Sequence, residues 1–243
     1  MPELDTFFAV FIDYDNLTRT QKNAGILDVV TKALIQLSLD TVTKRAKCEV
    51  RIYGGWYEGN QITRRAEDVT IEIQREFPLI IRLPNPSGEG YIGVSTNAEL
   101  AVAMLQEPSH HLFNTYRRKG KPTNIRVEAQ TNVGCEDSSC ALPLVKKFID
   151  KGRCPKSGCS VENNNLIYRH EQKIVDTMLS CDLIYAASKD VDHVVLVSGD
   201  DDFLPPLRSI LLHGASVVRF HPKPNNQRAS FPQGSVQLLE MDL

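Results

Sequence analysis

A continuous apolar run at residues 7–12 stops on Asp13, the pattern of a central strand buried on both faces. Apolar positions then recur at helical spacing over 26–42 (Ile26, Val29, Val30, Ala33, Leu34, Leu37), and 48–53 reads as a strand ended by Gly54-Gly55. A charged helix over 63–76 precedes a short strand at 79–83, closed by the turn-forming stretch 84–88. A helix at 97–106, a basic cluster at 117–121 and a strand at 124–129 come next. The remaining pattern gives a short strand at 166–169, a long helix over 171–187, a buried strand at 193–198, a helix over 203–213 ended by Gly214, and a strand at 216–220. Strands alternating with helices predict an α/β fold, a three-layer α/β/α sandwich whose central sheet is mostly parallel. No internal repeat interrupts it.

Residues 131–164 break the rhythm, with four cysteines in a Gly/Ser/Asn-rich setting, and read as a cysteine-rich insert within one domain spanning 1–243. Cys135-x4-Cys140 and Cys154-x4-Cys159 are two pairs separated by 13 residues, the layout of a four-thiolate zinc site, and CPKSGC (154–159) carries the Pro and Gly that a tight metal turn needs. Four thiolates leave no open position, so such a zinc is structural. Disulfides or free thiols are the alternative. Cys48 and Cys181 read as ordinary buried thiols.

Composition narrows the picture. With 243 residues, 42% of them hydrophobic, the chain buries a full core, and a net charge of -2 excludes a polybasic protein that binds through total charge. No apolar run approaches the 18 or so residues that span a bilayer, and the first residues lack the features of a signal peptide, so a cytoplasmic location without membrane contact is expected. In a reducing compartment, clustered cysteines are more often metal ligands than bridges.

Two expected strands end in acids. FIDYDN (11–16) offers Asp13 and Asp15, and VSGDDDF (197–203) offers Asp200, Asp201 and Asp202. In an open parallel sheet, ligands bind beyond the carboxyl ends of the strands where the winding reverses. Adjacent acids repel one another unless solvated, capped or neutralised, and a hard divalent cation such as magnesium or manganese suits carboxylate oxygens. Capping of the following helix by Asp201 or Asp202 is the plainer alternative, but it leaves Asp13 unexplained. In HEQKIVDTMLSCD (170–182), Lys173, Asp176 and Ser180 share one face of the expected helix, whereas Asp182 lies about 120° from Asp176. A Lys173–Asp176 ion pair on a solvated face is the plainer reading there.

Taken in order, FIDYDN, the K..D.....D helix, and LVSGDDDFLPPL followed by GASVVRF resemble the NYN domain of the PIN-like nuclease superfamily, over roughly 5–60 and 165–222, with 85–164 outside the resemblance. The resemblance implies an acid cluster binding magnesium or manganese and hydrolysis of phosphodiester bonds, usually of RNA. Its implied metal-binding acids are Asp13, Asp176, Asp200 and Asp202. Asn16 and Ser198 match polar positions lining the same pocket, and Lys173 and Asp182 match recurrent helix positions. One or two metal ions can both activate water and neutralise the phosphate, so no further catalytic base is obligatory.

Two other functions stay open. A haloacid-dehalogenase-like phosphatase would use Asp13 as nucleophile and Asp15 as acid-base. It fits less well, because Leu17 and Leu204 stand where that family's motifs need other residues. A non-catalytic RNA-binding or interaction module on a PIN-like scaffold is the other. Neither G-x-G-x-x-G nor a P-loop occurs, nor does a G-x-S-x-G elbow. For phosphate contacts, Arg117, Arg118, Lys119 and Lys121 in YRRKGK form the densest basic cluster. Lys146, Lys147, Lys151, Arg153 and Lys156 lie on or beside the insert, and 219–228 is a basic tail segment.

Overall fold

The computed structural model describes residues 6–37, 45–85, 88, 90–120, 125–137, 139–189, 191–225, 228 and 238–243. Two compact units emerge, one formed by Met1–Thr115 with Gln172–Leu243, the other by Tyr116–Glu171.

The first unit is built on strands β1 (Thr6–Asp13), β2 (Arg45–Tyr53), the two-residue β3 (Tyr57–Glu58) and β4 (Gln61–Ile62), β5 (Leu79–Pro84) and β6 (Tyr91–Leu100). Helices α1 (Arg19–Ala24), α2 (Ile26–Gln36) and α3 (Arg64–Glu76) lie between them in the chain. The second unit contains β7 (Tyr116–Gly120), α4 (Leu142–Lys151), α5 (Asn163–Leu166) and most of β8 (Arg169–Gln172). The chain then returns through α6 (Val175–Ala187), β9 (His193–Val197), α7 (Leu204–Leu212), β10 (Ser216–His221) and β11 (Leu239–Asp242).

Seven strands form one sheet in the order β11-β10-β9-β1-β2-β6-β5, parallel throughout except for antiparallel β5 against β6. Side-chain alternation on β1 sends Phe8, Val10 and Ile12 to one face, where they pack with α2 and α3 residues such as Val30, Leu34 and Val69. Ala9 and Phe11 face the opposite side, against Leu179 and Leu183 of α6 and Leu207 and Ile210 of α7. The sheet is thus the middle of three layers, and its strands are apolar because both faces are covered. From central β1 the chain winds one way through β2 and β6, then crosses to β9 and continues the other way through β10 and β11. The reversal falls between β1 and β9.

Several elements differ from the sequence reading. Residues 97–106, expected as a helix, lie partly in strand β6. Ile92, Val94, Thr96 and Ala98 are buried while Ser95, Asn97 and Glu99 are not wholly so, a period of two that pairing with β2 and β5 enforces. The helix expected over 26–42 is α2, which starts at Ile26 and ends at Gln36, and the unforeseen α1 precedes it across Gly25 (φ 97°); residues 38–44 lie outside those described. Of the strand expected at 124–129, residue 124 lies outside the described residues and 125–129 are irregular. The strand expected at 166–169 is shifted to β8. Helix α6 starts at Val175 rather than at 171, so Lys173 precedes it and shares no helix face with Asp176. Cys181 is exposed on α6 rather than buried, whereas Cys48 is buried in β2, where burial pushes its thiol well up. No described helix is long and apolar enough to cross a membrane.

Candidate acid site at the strand ends

Parallel register aligns Ile12 with Val197, so the next residues, Asp13 and Ser198, leave the sheet side by side at its carboxyl edge. Asp13 is 4% exposed. Its Oδ2 accepts from Asn16 Nδ2 (2.6 Å) and from fully buried Ser198 Oγ (2.9 Å). Burial pushes the Asp13 carboxyl up to about 6, against the lowering effect of the Ser198 and Asn16 hydrogen bonds, and Asp176 raises it further. Both polar neighbours named by the sequence therefore hold Asp13 directly.

Ser198 Oγ also accepts from Asp200 N (3.1 Å), and Asp200 Oδ1 accepts from Asp202 N (3.0 Å), capping the 3-10 turn Asp201–Phe203 that leads into α7. The cap is thus Asp200, not Asp201 or Asp202. Pro205 and Pro206 occupy the first turn of α7, where a missing N–H is harmless.

Asp176 stands in the exposed first turn of α6 rather than facing the core. Its carboxyl is nevertheless raised, first by partial burial and then by Asp200, Asp202 and Asp15. The acids from β1, α6 and the turn after β9 thus act on one another. Ile174 just before α6 has φ 59°, a conformation that costs a β-branched residue of order 1–3 kcal/mol. That strained step separates Lys173, whose N–H donates to Thr115 O (2.9 Å), from the helix carrying Asp176.

Other predicted residues sit elsewhere. Asp182 is buried, accepting from Tyr53 Oη (2.7 Å) and Leu105 N (2.7 Å), with Arg51 at 3.6 Å. Arg219, read from sequence as part of a basic tail, is fully buried: it donates to Ser198 O (3.0 Å), Glu240 (3.1 Å) and Asp201 (3.1 Å). A side chain so enclosed does not reach for phosphate. Instead it fastens the acidic turn to β10 and β11, a role no local sequence signal marks. Sequence reasoning also missed Lys22, whose ammonium lies 3.3 Å from Asp15 O and 5.0 Å over the Tyr14 ring.

A hard cation can be tested against these side chains. Asp15 pairs with Arg65 through Oδ1 (2.6 Å), but its Oδ2 is buried with no hydrogen-bond partner. Asp13 and Asp176 are raised by burial and by like charge, the condition a divalent cation relieves. The donors are all oxygen, which suits magnesium or manganese. Among the described residues no three His, Cys, Asp or Glu side chains come together as a ready-made cage. Magnesium commonly binds without one, taking one or two carboxylates and filling its shell with water and substrate phosphate. On donor chemistry the residues fit the ion.

In the second unit, Cys135, Cys140, Cys154 and Cys159 are free thiols, each partly buried. Cys154 and Cys159 line one apolar cavity of about 600 Å³ with Leu144, Val145, Phe148 and Leu166, and the four sulfurs are not gathered into one group. Arg117, Arg118 and Lys119 are exposed along β7; Lys121 lies outside the described residues.

A family model described as the NYN domain matches residues 110–232, just over half of the 243. The span takes in α6 and SGDDDF and also the cysteine-bearing stretch, part of the region the sequence reading left outside the resemblance; FIDYDN lies before it. No curated protein and no solved structure matches the chain.

Proposed function

The chain belongs to the NYN domain family, and from that premise we propose that it is a metal-dependent nuclease, hydrolysing phosphodiester bonds of RNA at the carboxyl edge of its sheet. The observation that carries this reading is that Asp13, Asp176 and Asp200 come from three separate elements, with the Asp13 and Asp176 carboxyls raised by burial and by neighbouring acids. Such an arrangement is costly to an empty fold and useful to one that binds magnesium or manganese.

Asp13, Asp176 and Asp200 are the residues that would hold the ion, with Asp202 completing the set. When bound, the ion supplies a water activated for attack and positive charge against the phosphate oxygens. The chain's own groups do the rest. Ser198 and Asn16 fix the Asp13 carboxylate, Ser198 sets the turn that presents Asp200, and Arg219 anchors that turn from below. Lys22 offers a cation beside Asp15 for a substrate phosphate, as Lys173 does at the start of α6.

The phosphatase reading asks Asp13 to attack phosphorus, and it fits less well because Leu17 and Leu204 stand where that family's motifs need other residues. We propose also that the four cysteines hold a structural zinc whose binding draws the two pairs together, releasing free energy on the order of 10 kcal/mol. Elemental analysis of protein purified without chelator should find about one zinc per chain. Its absence would remove the zinc and leave the nuclease reading standing. The nuclease itself is tested by incubating metal-stripped protein with labelled single-stranded RNA. Cleavage should appear with manganese and vanish in excess chelator, whereas equal turnover in chelator would contradict the mechanism.

A further inference from the structure

The second unit differs in charge from the rest of the chain. Residues 116–171 carry eleven Lys and Arg against six Asp and Glu, although the whole chain is slightly acidic. On its two-stranded ribbon β7–β8, and at Tyr168 just before β8, the basic residues are interleaved with aromatic rings. The Lys119 ammonium lies 5.6 Å over the ring of Tyr168, which is 54% exposed. Tyr168 stacks on His170 at 6.1 Å and 27°, and His170 meets the edge of Tyr116 at 5.9 Å, with its Nδ1 3.0 Å from Tyr116 Oη. Arg117 is exposed on the same ribbon.

Nothing in core packing calls for this arrangement. Large exposed rings normally gain by burial, and here Tyr168 and His170 are kept at the surface, each braced by a neighbour so that its orientation is set in advance. Preset rings flanked by cations are what unstacked bases and their phosphates require: the π-face accepts any base, and lysine or arginine meets the backbone. A duplex keeps its bases stacked inward and can use only the cations.

We propose that the β7–β8 ribbon binds single-stranded nucleic acid, with one base stacking on Tyr168 and His170 and phosphates on Arg117 and Lys119. This rests on the reading of the chain as acting on nucleic acid and names the form of polymer it takes.

The test measures fluorescence anisotropy of a labelled unstructured 12-nucleotide RNA, the same sequence as DNA, and the corresponding duplex. All are titrated with the full chain in chelator, so that cleavage plays no part. Tyr168→Ala should weaken single-strand binding about tenfold and Tyr168→Phe should restore it, as stacking energies of this kind imply. Duplex binding should be weaker and insensitive to Tyr168→Ala. The double variant Arg117→Ala, Lys119→Ala should weaken all three and flatten the salt dependence by about one to two in slope. Both positions are exposed, so circular dichroism should be unchanged. Tighter RNA than DNA binding assigns the polymer as RNA, and equal binding assigns it as single strands of either sugar. Wild-type affinity in Tyr168→Ala, or a duplex bound as tightly as the single strand, overturns the proposal. Single-strand binding through Tyr168 without any cleavage in manganese would sink the nuclease reading and spare this one; cleavage with affinity indifferent to Tyr168 would do the reverse.

Discussion

Two sets of acids in the sheet-bearing unit have opposite surroundings. At β10 and β11, Glu240 and Arg219 are both buried and meet at 3.1 Å, His221 Nε2 lies 3.1 Å from the same Glu240 oxygen, and Arg219 reaches on to Asp201. Asp182 is likewise enclosed by Tyr53, Leu105 and Arg51, all of which work against the burial that raises its carboxyl, and no acidic neighbour among the described residues adds to that rise. At the end of β1 and the start of α6, by contrast, Asp13 and Asp176 are raised by burial and raised further by acidic neighbours. The paired acids hold the fold, and the mutually repelling ones are those proposed to bind a cation. Burial alone does not separate them, since Asp13 and Glu240 are 4% and 5% exposed.

Substitutions should separate the two sets. The largest effect is expected on activity: Asp13→Asn and Asp200→Asn should each lower RNA cleavage in manganese by roughly a thousandfold or more, with the fold intact, as loss of a metal-binding group does. Single-turnover cleavage rates check this, and a wild-type rate in Asp200→Asn would place the centre elsewhere.

Arg219→Ala should act on stability instead. Removing the guanidinium breaks its buried pair with Glu240 and its contact with Asp201, and costs about 3–5 kcal/mol, read from the urea midpoint. A loss under 1 kcal/mol would show that the network carries little.

Asp13→Asn should do the opposite in metal-free protein. A carboxyl raised to about 6 favours the fold most at low pH, and that contribution is lost as pH rises from the ordinary carboxylate range through 6. At pH 8 the substitution should therefore stabilise by up to about 3 kcal/mol, a gain that shrinks toward zero near pH 4. A stability difference constant across that range would mean that Asp13 is not strained by its charge.

The smallest expected effect is at the strained step into α6: Ile174→Gly should relieve the φ of 59° and raise stability by about 1 kcal/mol in thermal unfolding. Destabilisation instead would mean that the exposed Ile174 side chain contributes more than its backbone costs.

What was legible in the sequence follows from the same contrast. β1, β9 and β10 announce themselves because strands covered on both faces are runs of apolar residues, and the acids stand out because they end those runs. β6 was misread because Asn97 to Leu105 is rich in helix formers, while the alternation of Ile92, Val94, Thr96 and Ala98 that decides the matter depends on pairing with β2 and β5. β11 was not anticipated, since an edge strand bearing Glu240 and Asp242 has no apolar run to mark it. Arg219 read as surface charge because nothing near it in sequence reveals that Glu240 and Asp201 fold back onto it. Lys173 was placed on a helix because a left-handed Ile174 leaves no trace in composition.

The central claim is that the repelling acids are a cation site, and a thermal-unfolding titration tests it without any substrate. At pH 7.5, manganese added to metal-stripped protein should raise the Tm of the wild type progressively, as a ligand bound by the native state does. Asp13→Asn should start from a higher Tm and gain little. A wild-type Tm indifferent to manganese, or an equal rise in Asp13→Asn, would contradict the account.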